Sequence, residues 1–226
     1  MLIVRLRYNF CMKIVGVIGS KRANIVSLAK MVKEKGADLL EIRFDKVKGG
    51  GDDILLVKEI KKVVGLPVIA TKRPKYPGED RKIFFKSIIP FIDYIDLEEE
   101  EEVGEIIEYA KKMKKSVIIS YHNYKKTPSI KTLKEFSISM EKKGADIIKI
   151  ATFVNCPDDI LKLLNLTKNC KKPIITIGMG KLGTITRVIA PMFGSIFTYC
   201  FVNRPYAPGQ VSISFLKKET KKYGLA

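Results

Sequence analysis

The chain has no tryptophan, one histidine (His122) and one glutamine (Gln210). A single imidazole cannot build a histidine-rich metal site. The four cysteines, Cys11, Cys156, Cys170 and Cys200, include no C-x-x-C pair, so they supply no zinc pattern either. They read as reduced packing residues of a cytosolic protein. No apolar run reaches the ~18 residues that a membrane span requires, and mean hydropathy is +0.02. The amino end, MLIVRLRYNFC, is too short and too charged for a secretory leader. Met12 stands just before the first strand-like run, so residues 1–11 read as an extra strand or a start-site extension. No Pro/Gly/Ser-rich linker divides the chain, and 226 residues with 46% hydrophobic content are expected to form one domain over 1–226. Acidic residues are scarce: 24 Asp+Glu stand against 42 Lys+Arg, a net charge of +18. The lysines are spread as doublets on helix-like faces, such as Lys61-Lys62, Lys142-Lys143 and Lys217-Lys218. Without a basic tail or an aromatic platform, that charge is expected to be solvated surface, and neither nucleic acid nor membrane is an expected partner.

What the chain does contain is a regular alternation. Eight apolar runs, at 14–20, 38–45, 67–73, 94–100, 116–123, 146–152, 173–179 and 195–201, read as strands. Amphipathic stretches between and after them predict helices at 22–35, 53–64, 79–89, 103–114, 129–143, 157–168, 181–190 and about 210–222. The tetrapeptide KGAD occurs twice, at 35–38 and 143–146, and each glycine reads as a helix stop. Asp52, Thr127 or Ser129, and Pro157-Asp158 read as helix starts. Near-continuous apolar strands imply parallel pairing buried on both faces. Eight βα units of this length predict an α/β fold, a single (β/α)8 TIM barrel. An open doubly wound sheet is the alternative, but GSKRAN after the first strand is no G-x-G-x-x-G turn.

Polar residues gather at the carboxyl ends of these strands: Glu41, Arg43 and Asp45 on the second, Thr71 and Arg73 on the third, Asp96 and Glu98 on the fourth, Ser120 and His122 on the fifth, Thr198 and Tyr199 on the eighth. With a side-chain period of two, residues two apart share a face. If those faces point inward, charges of both signs line the mouth where barrel enzymes keep their active sites. Lys149 lies within the apolar run DIIKIAT. An amine in apolar surroundings loses proton affinity and can attack a carbonyl. His122 is then the natural proton carrier, with Glu41 as the partner that fixes its tautomer. Glycines 180 and 183 permit close backbone approach, Arg187 suits a carboxylate, and Gln210 ends a loop containing two prolines and a glycine.

Taken in order, E-x-R-x-D at 41–45, T-x-R at 71–73, SYHN at 120–123, K-x-A at 149–151, MG-x-x-G-x-x-x-R at 179–187, GS-x-x-TY at 194–199 and APGQ at 207–210 resemble the type I 3-dehydroquinate dehydratases. The resemblance runs from Lys13 to nearly the end of the chain. It implies a shikimate-pathway lyase of aromatic amino acid biosynthesis that converts 3-dehydroquinate to 3-dehydroshikimate. By that resemblance Lys149 forms the Schiff base, His122 is the general acid–base and Glu41 its partner. Arg43, Arg73, Arg187, Gln210, Tyr206 and Met179 bind the substrate, a small carboxylate. No metal and no organic cofactor are implied, and a cytoplasmic homodimer is. Three positions differ from the family's habit: Glu79 is displaced within PKYPGED, Tyr206 stands where serine is common before APGQ, and Thr186 stands where serine is usual before the arginine. A class I aldolase on the same barrel is the alternative enzyme. It would use Lys149 and a phosphate loop at GMGKLG. A basic nucleic-acid-binding protein is the alternative outside enzymes.

Overall fold

The structure is a computed structural model that describes residues 12–76, 81–99 and 103–224. The proposed extension at 1–11 and Glu79 lie outside the described residues. Eight strands alternate with helices: β1 Lys13–Ile18, β2 Leu39–Arg43, β3 Val68–Thr71, β4 Tyr94–Glu98, β5 Ser116–Asn123, β6 Ile147–Phe153, β7 Ile174–Met179 and β8 Phe197–Phe201. The main helices are α1 Ile25–Glu34, α2 Asp53–Val64, α3 Lys82–Ile88, α4 Gly104–Lys112, α5 Ile130–Lys142 and α6 Pro157–Asn169. Each strand pairs in parallel with its sequence neighbour from β1 to β7, and β8 pairs with β1. Between β7 and β8 the ring is joined by the Ile174–Ser195 bridge, with Ile196 N donating to Ile174 O at 2.9 Å. The result is a nearly closed (β/α)8 barrel.

Local chemistry explains the boundaries. Asp52 caps α2 by accepting from Ile54 N and Leu55 N, and Ser129 caps α5 by accepting from Thr132 N. The two KGAD glycines adopt positive φ, 78° at Gly36 and 98° at Gly144, and end their helices there. The aspartates that follow have their own task. Asp38 accepts from Ile14 N at 2.7 Å and Asp146 accepts from Val117 N at 2.9 Å. Asp93, ahead of β4, does the same for Val68 N at 2.8 Å. Each carboxylate satisfies an N–H in the first two residues of the preceding strand, a group that would otherwise be left at the bottom of the barrel.

The seventh crossover departs from the expected helix at 181–190. It forms two four-residue pieces, α7 Gly180–Gly183 and α8 Thr186–Ile189, followed by a 3-10 turn at Ala190–Phe193. Gly183 is pressed onto the β7 backbone, where an added Cβ would sit 2.4 Å from Gly178 C. Thr186 Oγ1 donates to Gly183 O and accepts from Gly178 N, which pins the chain to the strand. The last helix, α9 Ile213–Lys222, starts at Ser212, which accepts from Phe215 N.

Strand alternation divides the apolar residues into two bodies. One fills the space between sheet and helices, with Ile42, Ile60, Phe85, Leu97 and Ile150 among its buried members. The other fills the lower barrel interior with Val15, Leu39, Ile69, Ile118, Ile147, Ile175 and Phe197. On β2 to β5 the inward positions turn polar toward the carboxyl end, as in Leu39, Glu41, Arg43 and Ile118, Ser120, His122. That gradient puts a dry floor under a charged mouth.

Candidate active site

Lys149 points inward from the middle of β6 and is 4% exposed. Its surroundings are ionic, not the apolar ones that its neighbours in sequence suggest. Nζ donates to Asp96 Oδ2 at 2.7 Å and lies 3.9 Å from Glu41 Oε1. Its other side faces the Tyr199 ring, 4.0 Å from the centroid. The sequence run misleads because Ile148 and Ile150 face the helices, whereas the inward neighbours of Lys149 come from other strands. Asp96 is fully buried on β4. Its second oxygen, Oδ1, accepts from Ser120 Oγ at 2.5 Å and from Arg73 Nη2 at 2.8 Å. Burial alone would raise the Asp96 pKa, but Arg73 and Lys149 outweigh it and hold the carboxyl well below the usual range.

His122 also faces inward, two positions beyond Ser120 on β5. Its partner is Glu98 of β4, not Glu41: Nδ1 lies 2.8 Å from Glu98 Oε1. Glu41 instead accepts from Thr71 Oγ1 at 2.7 Å. Barrel order supplies the reason. β5 is flanked by β4 and β6, and the register sets Glu98 beside Ser120, whereas Glu41 is three strands away on β2. Glu98 is held below its ordinary pKa: burial opposes this, and Arg73 and His122 overcome it. An ionised Glu98 only accepts, so Nδ1 carries the proton and Nε2 is left as a free base on a ring that lines the cavity. The His122 pKa is lowered, chiefly by burial, with the Glu98 bond opposing and Arg73 adding to the effect. Arg73 thus joins the two halves. Nη2 reaches Asp96, and Nη1 lies 3.0 Å from Glu98 Oε2 without hydrogen-bond alignment.

All nine residues singled out from the sequence, namely Glu41, Arg43, Arg73, His122, Lys149, Met179, Arg187, Tyr206 and Gln210, line one cavity. Tyr199 and Tyr124 line it too, unassigned by the sequence reading. Arg43 is held by a two-point pair with Asp45 at 2.8 and 2.9 Å. Arg187 is 2% exposed. Its Nε donates to Gly209 O and its Nη1 to Tyr199 O, both at 2.9 Å, while the buried Nη2 has no hydrogen-bond partner among the described residues. Burial lowers its pKa to about 10, so it stays cationic at neutral pH. A buried, half-satisfied guanidinium is costly, by about 1–3 kcal/mol for each orphaned polar group, and a bound anion would remove that cost.

The chain after β8 covers the mouth. Tyr206 Oη accepts from Gly19 N at 2.8 Å and donates to Gly19 O. The Tyr206 hydroxyl is therefore engaged with backbone, and only the ring is left for the cavity. Gln210 Oε1 accepts from Tyr206 N at 2.7 Å and Gly180 N donates to Pro208 O at 3.2 Å. Gly209, at φ +71°, packs so closely that a Cβ would lie 2.3 Å from Gly180 O. The glycines of GMGKLG thus serve backbone packing. Gly180 N is already bonded to Pro208 O, which withdraws that N–H from the phosphate loop that the aldolase reading requires.

The type I 3-dehydroquinase family model matches residues 13–222. The chain belongs to the type I 3-dehydroquinase family. The 3-dehydroquinate dehydratase of Methanocella arvoryzae is 36% identical over 205 residues, spanning 87% of this chain and 92% of the relative. The crystal structure of the Aquifex aeolicus 3-dehydroquinate dehydratase superposes with a TM-score of 0.82 at 32% identity, covering 94% of this chain and 99% of that one. A Clostridium difficile type I 3-dehydroquinate dehydratase, solved with covalent modified comenic acid, gives 0.79 at 26% identity over 93% and 91% of the two chains. Family membership accounts for the order of motifs along the strands. The Glu98–His122 and Asp96–Lys149 contacts are read from this chain's own geometry.

Proposed function

We propose that this chain dehydrates 3-dehydroquinate to 3-dehydroshikimate, a step of aromatic amino acid biosynthesis, through a Schiff base at Lys149. The observation that carries the proposal is one cavity lined by a buried lysine, a histidine with a free nitrogen and a buried arginine with an unpartnered N–H. Arg187 binds the substrate carboxylate and so orients the ring ketone toward Lys149. The lysine ammonium gives a proton to His122, the amine adds to the ketone, and His122 returns the proton to the carbinolamine hydroxyl, which leaves as water and gives an iminium. That cation acidifies the adjacent C–H. His122 Nε2 takes the proton, and the electron pair flows into an enamine. The enamine pair then expels the ring hydroxyl, which leaves as water with the proton held by His122. Hydrolysis of the iminium returns the ketone and the lysine. Arg43, Arg73, Gln210 and Met179 contact the rest of the substrate, Tyr206 through its ring. Glu41 acts as a second carboxylate near Nζ. The lysine and the imidazole supply the electron sink and the base, so the reaction calls on no metal and no organic cofactor. The curated relatives' names and the covalent modified comenic acid in the C. difficile structure support this reading.

Borohydride in the presence of 3-dehydroquinate tests it. Reduction of the iminium gives a stable secondary amine, so a substrate-derived mass increase is expected on the peptide containing Lys149. A label on another lysine, or none, would overturn the Schiff base at this position.

Glu98 gives a second test. Glu98→Gln keeps the shape but removes the charge that supports the His122 pKa and fixes its tautomer. The wild-type acid limb is expected below the ordinary histidine value of 6.5, because a pKa lowered by burial keeps the imidazole in its base form to lower pH. In Glu98→Gln that limb is expected at still lower pH, with kcat reduced about 10-fold or more as orientation is lost. An acid limb that does not move would remove Glu98 from this role.

We also propose a cytoplasmic homodimer. From Leu182 to Asn203 the only charged residue is the buried Arg187, and Leu182, Ile185, Met192 and Phe193 are 40–51% exposed. On a chain of net charge +18, exposed apolar side chains on so charge-poor a stretch are where two copies can meet with least repulsion. Light scattering is expected to give twice the 25.5 kDa chain mass, and a monomer would refute the assembly.

A further inference from the structure

The carboxylate of Asp96 is built into the sheet. It sits on β4 with no exposed surface, and its two oxygens have separate duties. Oδ1 is taken by Ser120 and Arg73, and Oδ2 is given to Lys149 alone. The three side chains Asp96, Ser120 and Lys149 come from three consecutive strands whose register sets Ser120 directly beside Lys149. Asp96 therefore cannot swing away from Nζ without breaking the bonds on its other oxygen. On the opposite side of Nζ lies the face of Tyr199, at 4.0 Å from the ring centroid, where a cation is favoured over a neutral group. Two independent features thus hold positive charge at one atom.

We propose that Asp96 is the fixed counterion of the iminium formed at Lys149, a catalytic role beyond that of neutralising a resting lysine; it rests on the Schiff-base reading above. Charge at Nζ runs from +1 in the ammonium, through zero in the amine that attacks, back to +1 in the iminium. A fixed anion at 2.7 Å penalises the middle state and favours both ends. It slows release of the amine proton, and in return it keeps the imine protonated. Only the protonated imine is a strong electron sink for loss of the neighbouring C–H proton. The N–H of the iminium inherits the hydrogen bond that Nζ now gives to Oδ2. The C=N axis, and with it the C–H that must face His122, is set by that bond. Asp96 stays ionised throughout and transfers no net proton. Glu41, at 3.9 Å and bonded to Thr71, is farther from Nζ and is not the counterion.

Asp96→Asn separates the two effects. Without the anion the amine forms more readily, so borohydride trapping on Lys149 is expected to persist, with the midpoint of its pH dependence moved to lower pH. Elimination is expected to slow by about 10²–10³-fold, the usual loss when one preorganised charge partner is removed. Wild-type turnover in Asp96→Asn would overturn the proposal, as would turnover and trapping falling together with an unmoved pH midpoint. Wild-type trapping is run alongside. Its absence would sink the Schiff base itself, whereas an adduct in both proteins with unchanged turnover would sink only the role of Asp96. If circular dichroism shows Asp96→Asn unfolded, Ser120→Ala is measured instead. It removes one bond from Oδ1 and leaves the ion pair, so a smaller fall in turnover with trapping intact is expected, and no fall would overturn the proposal.

Discussion

Replacing Lys149 with alanine is expected to abolish dehydration of 3-dehydroquinate and every borohydride-dependent mass increase. Typical enzymes accelerate their reactions by about 10⁶-fold or more, and a covalent route carries a large part of that, so a loss of at least about 10⁴-fold is expected. Binding of a carboxylate survives, because Arg187 lies on a different element and keeps its bonds to Gly209 and Tyr199. The fold survives as well. The removed ammonium leaves Asp96 still paired with Arg73 and hydrogen-bonded to Ser120, so no buried carboxylate is stranded. The alanine leaves a void, and Lys149→Met fills most of it, which separates a packing defect from a missing nucleophile. Circular dichroism that matches wild type, with no turnover in either variant, is the predicted outcome. Residual activity within about 100-fold of wild type would require another nucleophile or a route without one, since loss of a general acid–base alone accounts for a change of that size.

The barrel was legible in the sequence because its rules are local. Parallel strands buried on both faces read as apolar runs, and the KGAD glycines marked helix ends that the structure confirms with positive φ at 36 and 144. Period two made the mouth legible: Glu41 and Arg43, Ser120 and His122 share faces, and all of them turn inward. Three contacts are not legible there. Glu41 was matched to His122 by motif, although consecutive strands are neighbours in such a barrel and β4 brings Glu98 next to β5. Asp96 was visible as a polar residue on a strand end, yet its pairing with Lys149 reaches across β5 and depends on register, which no motif encodes. The broken helix after β7 escaped because glycines that accept a helix also permit the backbone contact between Gly178 and Gly183 that ends it. The latch from Tyr206 to Gly19 joins loops 187 residues apart, a distance over which sequence patterning carries no signal.

His122→Ala is the second large effect, and it differs in kind from loss of the lysine. The imine still forms, more slowly, because Lys149, Asp96 and Arg187 are untouched, but the proton beside the iminium has no acceptor. Elimination is expected to slow by about 10²–10⁴-fold, the range for a positioned general acid–base. Hydrolysis of the adduct slows with it, since the same imidazole serves that step. The predicted signature is accumulation: intact-protein mass spectrometry during turnover should show a larger covalent fraction in His122→Ala than in wild type. The pH profile should change in a matching way. In wild type, activity is present above the lowered His122 pKa and falls as pH drops through it. Without the imidazole that limb should disappear from kcat. A variant that neither accumulates adduct nor loses the acid limb would assign the proton transfer to another group. Of the groups left beside the vacated ring, Glu98 is a carboxylate that Arg73 holds below its ordinary pKa against burial, and so a weak base, and Tyr124, 6.1 Å from His122 between centroids, is a phenol with its pKa raised by burial. A phenol held in its neutral form is a poor base, so the large loss expected for His122→Ala follows from what is left behind as much as from what is removed.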